Sequence, residues 1–452
     1  MGYDSRRMRT HHLFKTLPLA FVTVVFGLQA APPLAGRQAA PAIADTIVLA
    51  KPERVGMSSE SLNELDAAMQ GIVDKKHLAG IVTLLARHGT VVQHKAYGVQ
   101  DIDNQTPMQL DTIVRIYSMT KPIAGAAMMM LYEEGKWQPS DPIAKHIPEF
   151  ASLKVFSGVD ASGKPTLDAP AHAPTMGELM SHNAGFTYGL FGNSPVDKMY
   201  QADNPLDAPS LQAFIDKVAN KPLLYQPGEK WVYSVSVDIQ GYLIQKLSGK
   251  TFPDFLRDRI FTPLGMNDTG FLVPEAKLPR VATIYAWDAK QGALAAQPRD
   301  PLISRMPGLP SGGGGLYSTA ADYWRFAQLM LNGGELNGKR LLKRSSVDMM
   351  RTNVLNDQTL NSKSGIGPVH LQAGLGFGYD FAVMYDPVAL KSPLGKGSYW
   401  WWGIAGTWFW IDPTNDVVFI GMIQRRGGAP GAANHEDLSR ALTYKALVNP
   451  GM

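Results

Sequence analysis

Ser118 and Lys121 are the residues whose types and spacing point most directly to chemistry. They frame Ser118-Met119-Thr120-Lys121, the single Ser-x-x-Lys in the 452 residues. Residues three apart on a helix share a face, so the lysine amine would stand beside the serine hydroxyl. A desolvated lysine gives up its proton more readily and can serve as a base, which makes the serine an acyl-accepting nucleophile. An extended run, Thr112 to Tyr117, leads into the motif, and a helical run, Lys121 to Glu134, follows it. Ser118 is therefore expected at a helix N-terminus, where free backbone N–H groups and the positive end of the dipole favour an oxyanion. Pro122 falls in the first turn, where its missing N–H costs little. An ordinary helix start would also explain these four residues, because a chain of this length produces such a match by chance.

Tyr233 is the second candidate. It lies in Glu229-Lys230-Trp231-Val232-Tyr233-Ser234-Val235-Ser236, before a helix that starts near Val237. On a loop or strand end a phenol can point into a cleft. Near a lysine ammonium its phenolate is favoured, so it could take the Ser118 proton and pass it to a leaving group. The competing reading is a buried tyrosine with its hydroxyl satisfied structurally.

The elements that must hold these groups follow from composition and periodicity. Hydrophobic residues make up 45% of the chain, with 44 Gly and 32 Pro, which indicates a globular protein rich in turns. Arg6, Arg7, Arg9 and Lys15 precede an apolar stretch, Leu17 to Ala31, too short to span a bilayer. Residues 1–31 therefore read as a secretory signal and 32–46 as an Ala/Pro-rich linker, so the mature chain is expected to be periplasmic or secreted. The net charge of +4 resides largely in that leader, and the remainder is about neutral. Such a balance implies no nucleic-acid or membrane surface. There is no Cys, hence no disulfide or thiol nucleophile, and the ten His lack metal-ligand spacing, so neither metal nor cofactor is expected.

Ser58 to Lys75 has helical periodicity. Gly80–Arg87 and Val91–Val99 read as a hairpin, and Leu211–Lys217, Val237–Leu247 and Thr319–Asn332 as helices. Gly406–Asp412 and Val417–Gln424 read as strands joined by a turn, with a terminal helix at Ala433–Val448. Strands at both ends of the chain and helices between predict an α+β fold. One antiparallel sheet flanked by terminal helices (about 47–115 and 305–450) stands beside a mainly helical part (about 116–304), in a single domain over 47–450.

In this order along the chain, Val114-Arg115-Ile116-Tyr117-Ser118-Met119-Thr120-Lys121, Ser181-His182-Asn183-Ala184-Gly185, Tyr225-Gln226-Pro227-Gly228, Pro263-Leu264-Gly265-Met266 and Gly312 to Thr319 resemble the serine β-lactamase and penicillin-binding-protein superfamily. The likeness is strongest to its class C β-lactamase branch and to the family VIII carboxylesterases, and spans nearly all of 52–447. It implies that fold, with the site at the junction of sheet and helices. It implies an acylated Ser118, activated by Lys121, with Tyr233 as the tyrosine of a Tyr-x-Asn element. Val235 stands where the β-lactamases have Asn. The third element falls at Trp401-Trp402-Gly403, with Trp401 in place of a lysine and the oxyanion held by the N–H groups of Ser118 and Ile404.

Val235 and Trp401 remove an amide and a cation, so the cleft is expected to be apolar and suited to small carboxylic esters. Trp401, Gly403 and Val235 are the expected substrate-binding positions. The alternatives are a β-lactamase or D,D-peptidase, and a non-catalytic binding protein on the same fold. Gly312–Gly315 lacks the Lys-Ser/Thr of a phosphate loop and reads as a flexible turn near the cleft, and His182 reads as structural.

Overall fold

In the computed structural model, which describes residues 47–361 and 371–448, strand β1 (Gly80–Arg87) is buried at all eight positions. Side chains alternate between the faces of a sheet, so both faces beside β1 are covered. The chain turns at His88-Gly89 into β2 (Thr90–Asp101), which pairs with the short β3 (Thr106–Pro107). The remaining strands are supplied by the far end of the chain: β4 (Leu375–Phe377), β5 (Ala382–Met384), β6 (Tyr399–Trp402), β7 (Trp408–Asp412) and β8 (Val417–Met422). The eight run in the order β4-β5-β6-β7-β8-β1-β2-β3, every pair antiparallel. The β1–β8 pairing, with Leu84 opposite Ile420, joins the two halves of the chain.

Helices cover the sheet. Helix α1 (Ser59–Asp74) is capped by Ser58, whose hydroxyl accepts the Ser61 N–H, and it lays Leu62, Leu65, Met69 and Ile72 inward. It packs on the terminal helix and on β1 and β2. Helix α2 (Thr120–Glu133) is buried from Thr120 to Leu131 and packs on α3 (Ser236–Ser248), which ends at Gly249 with φ 72°. Helix α4 (Ala320–Leu331), capped by Thr319, lies on β8 and β1, and α5 (His435–Lys445) closes the chain. The fold is thus the mixed α/β arrangement expected, a large antiparallel sheet with helices. Residues 1–46, read from the sequence as a signal and a linker, lie outside the described residues.

Three features depart from the sequence reading. The run before Ser118 is a strand only at Val114–Arg115, paired with Tyr317–Ser318, and the backbone then turns sharply, with Tyr117 at φ 44°. Strands β4 and β5 were not expected, because three-residue segments carry no detectable period. A side sheet joins Tyr285–Asp288 and Ala293–Ala296 to Arg425–Arg426, the last pairing being parallel.

Candidate active site

Ser118 sits in a single 3-10 turn, Tyr117–Met119, immediately before α2. The left-handed Tyr117 reverses the chain here and is a non-glycine residue in a sparsely populated backbone region. Lys121, in the first turn of α2, lies 1% exposed, with Nζ donating to Ser118 Oγ at 3.3 Å and to the Gly313 carbonyl at 2.7 Å. The rings of Tyr233 and Tyr188 face the same nitrogen at 4.5 and 5.3 Å, and cation–π contact partly replaces water. No carboxylate pairs with Lys121 among the described residues. Asp380, which interacts with it across the interior, is pushed well above the usual carboxylate range by burial, with Gln240 and the Lys121 charge acting against that shift.

Tyr233 lies on the loop before α3 and donates to Ser118 Oγ at 2.6 Å. Tyr233, Ser118 and Lys121 thus form one hydrogen-bonded line with the serine oxygen in the middle. Groups this close exchange protons as a unit. The phenol is held by rings on several sides: Trp401, His182, Tyr188 and Trp231 lie 5.2–6.2 Å away, and Trp401 Nε1 reaches its oxygen at 3.4 Å. His182 grips the loop from behind. Its carbonyl accepts the Val232 N–H at 2.8 Å and its Nδ1 accepts the Ser234 N–H at 3.3 Å, so both neighbours of Tyr233 are fixed by one residue. Burial, assisted by the Lys121 charge, pushes the imidazole far below its ordinary value. A neutral ring with its proton on Nε2 is what Nδ1 needs in order to accept.

The Ser118 and Ile404 N–H groups donate to no protein acceptor among the described residues. Ile404 follows Gly403 in the tight turn after β6, closed by Gly403 N–H to Thr407 O at 2.7 Å and Gly406 N–H to Gly403 O at 2.8 Å. A Cβ at Gly403 would stand 2.4 Å from the Ile116 carbonyl, so only glycine lets β6 pass this close to the serine turn.

These groups open into a cavity of about 530 Å³. Tyr188, Leu190, Phe191, Leu206, Trp401 and Trp402 form an apolar wall, and Arg115, Arg425 and Arg426 line it elsewhere. The cleft is therefore apolar in part only. The three guanidiniums were not anticipated, since isolated arginines carry no spacing signal. Ser118, Tyr233, Trp401, Gly403 and Ile404 all line this space. Val235 does not: it is 1% exposed at the N-cap of α3, turned into the core. The sequence expectation of substrate contact there is corrected on that ground.

Gly312–Gly315 forms a turn beside the cleft, as expected, but a closely packed one. None of the four has a positive φ, and a Cβ at Gly313 would meet Asp238 Oδ2 and the Tyr188 hydroxyl at 2.5 Å. The glycines allow close packing that presents the Gly313 carbonyl to Lys121, with the Gly313 N–H held by Asp238 Oδ1 at 3.0 Å.

A sequence model of the Beta-lactamase family matches residues 65–443. The chain belongs to that family. It is 34% identical over 368 residues to Protein Rv1367c of Mycobacterium tuberculosis, covering 80% of this chain and 90% of that one. It is 29% identical over 366 residues to Esterase EstB of Burkholderia gladioli, covering 76% and 86%. Among solved structures the fold is similar to that of EstCE1, described as a hydrolase with promiscuous acyltransferase activity. The TM-score is 0.70 at 23% identity, over 85% of this chain and 99% of the other. Family and relatives together place the chain among the serine hydrolases of the β-lactamase fold.

Proposed function

We propose that this chain hydrolyses small carboxylic esters through an acyl-enzyme on Ser118. The observation that carries the reading is the line Tyr233–Ser118–Lys121, at 2.6 and 3.3 Å, opening on a partly apolar cavity. In the reactive state the Tyr233–Lys121 pair carries one proton fewer than ammonium plus phenol, so it takes the Ser118 proton as Oγ attacks the ester carbonyl. The N–H groups of Ser118 and Ile404 receive the charge that develops on the carbonyl oxygen. The pair returns the proton to the departing alkoxide. Water then repeats the sequence on the acyl-enzyme and releases the acid. Trp401 supports an ester over a β-lactam. Its indole replaces a cation in the third element and spends its N–H on the Tyr233 oxygen, 3.4 Å away. The similarity to an esterase of Burkholderia gladioli points the same way. The basic, then apolar, leader supports an exported protein, which fractionation of the producing cells would test.

The test is hydrolysis of p-nitrophenyl butyrate beside nitrocefin by wild type and Ser118→Ala. Ester turnover with the greater kcat/KM, abolished by the substitution, is expected. A greater efficiency on nitrocefin would replace the reading with a β-lactamase, and no Ser118-dependent turnover of either would favour a binding protein.

A further inference from the structure

Beside the catalytic cavity lies a second one of about 320 Å³, and the two share Arg115, Tyr117 and Arg426 as a common wall. Arg299 lines the second cavity but not the first. Seven described arginines, from Arg257 to Arg440, are ion-paired with a carboxylate. Among the described residues none of Arg115, Arg299 and Arg426 is. Arg115 Nε is buried without a hydrogen-bond partner. Arg115 Cζ lies 4.7 Å from the centre of the Tyr117 ring and Arg426 Cζ 5.2 Å from it, which places the two cations within about 10 Å of each other. Arg426 Nη2 donates to the Tyr117 hydroxyl at 2.9 Å, and Arg299 Nη2 to the Val281 carbonyl at 3.2 Å. Asp300 is the one carboxylate lining this space, and its Oδ1 accepts the Leu302 N–H. Guanidiniums without a carboxylate partner gathered round a hollow keep donors, beyond those spent on Tyr117, Val281 and Tyr317, for a planar oxyanion. Tyr117 connects that hollow to the nucleophile, being the residue before Ser118.

We propose that this basic annex binds a carboxylate of the substrate, so that the preferred esters carry a negative charge remote from the scissile bond. This rests on the esterase reading of Ser118. Such an ester would lay its reacting carbonyl at Ser118 and Ile404 and its carboxylate among Arg115, Arg299 and Arg426. Half-esters of dicarboxylic acids would carry the charge on the acyl side, and acyl esters of hydroxy acids on the alcohol side.

The test follows acid release in a pH-stat at pH 7.5 with two matched series. Monomethyl esters of dicarboxylic acids from succinate to suberate are compared with their dimethyl esters. Acetoxy carboxylates of similar length are compared with their methyl esters. In one series the charged member is expected to exceed its neutral partner by about tenfold in kcat/KM, with an optimum chain length. That ratio is expected to fall about fivefold or more in Arg299→Gln and in Arg426→Gln, and to persist in Arg305→Gln, an exposed arginine lining neither cavity. A merely structural loss would lower both members of a pair and leave their ratio unchanged. Neutral esters preferred at every length in both series would overturn the annex and leave the esterase reading intact. So would a charge preference that survives both substitutions, or one lost equally in Arg305→Gln. If no ester is turned over, the esterase reading fails and calorimetric titration of Ser118→Ala with adipate decides for the annex. Binding lost on adding Arg426→Gln supports it, and no binding overturns it.

Discussion

A single oxygen is where the candidate site converges: Ser118 Oγ accepts from Tyr233 at 2.6 Å and from Lys121 at 3.3 Å. The two partners differ in how their positions are secured. Lys121 is fixed by the Gly313 carbonyl, whereas Tyr233 is fixed by ring packing and by His182 gripping Val232 and Ser234. Tyr233→Phe keeps the ring in that packing and removes only the hydroxyl. It is expected to lower kcat for p-nitrophenyl butyrate about 10²–10⁴-fold, the usual worth of a general acid–base, with KM changed by less than about threefold. Unfolding in urea should change by about 1 kcal/mol, since one net hydrogen bond is lost. An equal fall in stability and activity would mean the hydroxyl serves packing alone. The meeting of Ser118, Lys121 and Tyr233 in one place was legible in the sequence because motif spacing and order survive without coordinates. The burial of Val235 was not, because an N-cap position alone does not say which way a side chain turns.

At the scale of elements, the site is made by close approaches that only glycine permits. Gly403 lets β6 lie against the Ile116 carbonyl, and Gly313 lets its loop lie against Asp238 and Tyr188. Gly313→Ala is expected to displace the carbonyl that holds Lys121. Activity should fall by at least about tenfold and stability by about 1–3 kcal/mol, as for overpacking elsewhere. Gly314→Ala provides the contrast, since its nearest neighbour would stand 3.6 Å away, and its loss of stability should be far smaller. Equal melting midpoints for the two variants would contradict the packing argument. Helix α1, the β1–β2 hairpin and the β7–β8 turn were readable, because period and caps are local properties. The four glycines read as freedom in the sequence and act as contact in the fold, since most of what touches them, from α3, Tyr188, Tyr117 and Phe271, lies far away along the chain.

For the whole molecule, buried titratable groups give the pH dependence of stability. His435 lies against Trp408 with Nε2 on the Gly406 carbonyl at 3.2 Å. Burial lowers its pKa to about 4, with the charges of Arg425 and Arg440 acting in the same direction and the Gly406 bond against it. The folded state therefore resists a proton that the unfolded chain accepts. Stability from this group is present above about pH 6.5 and is lost as pH falls toward 4, by up to about 3 kcal/mol. Asp322 acts oppositely: burial raises it to about 6, so its contribution is present at low pH and is lost as pH rises from about 4 to 6. In urea unfolding at pH 7.5 and 4.5, His435→Gln should lose less stability on acidification than wild type, and Asp322→Asn should lose more. Identical losses in all three would contradict these assignments. None of this could be read from the chain, since burial depends on contacts across its length.

The central claim is that Ser118 is the acyl-accepting nucleophile, and covalent trapping tests it most directly. A p-nitrophenyl alkylphosphonate should add one phosphonyl group, mapped by mass spectrometry to the peptide bearing Ser118. The adduct should be absent in Ser118→Ala and form more slowly in Tyr233→Phe. An adduct on another residue, or none with intact folded protein, would contradict the account.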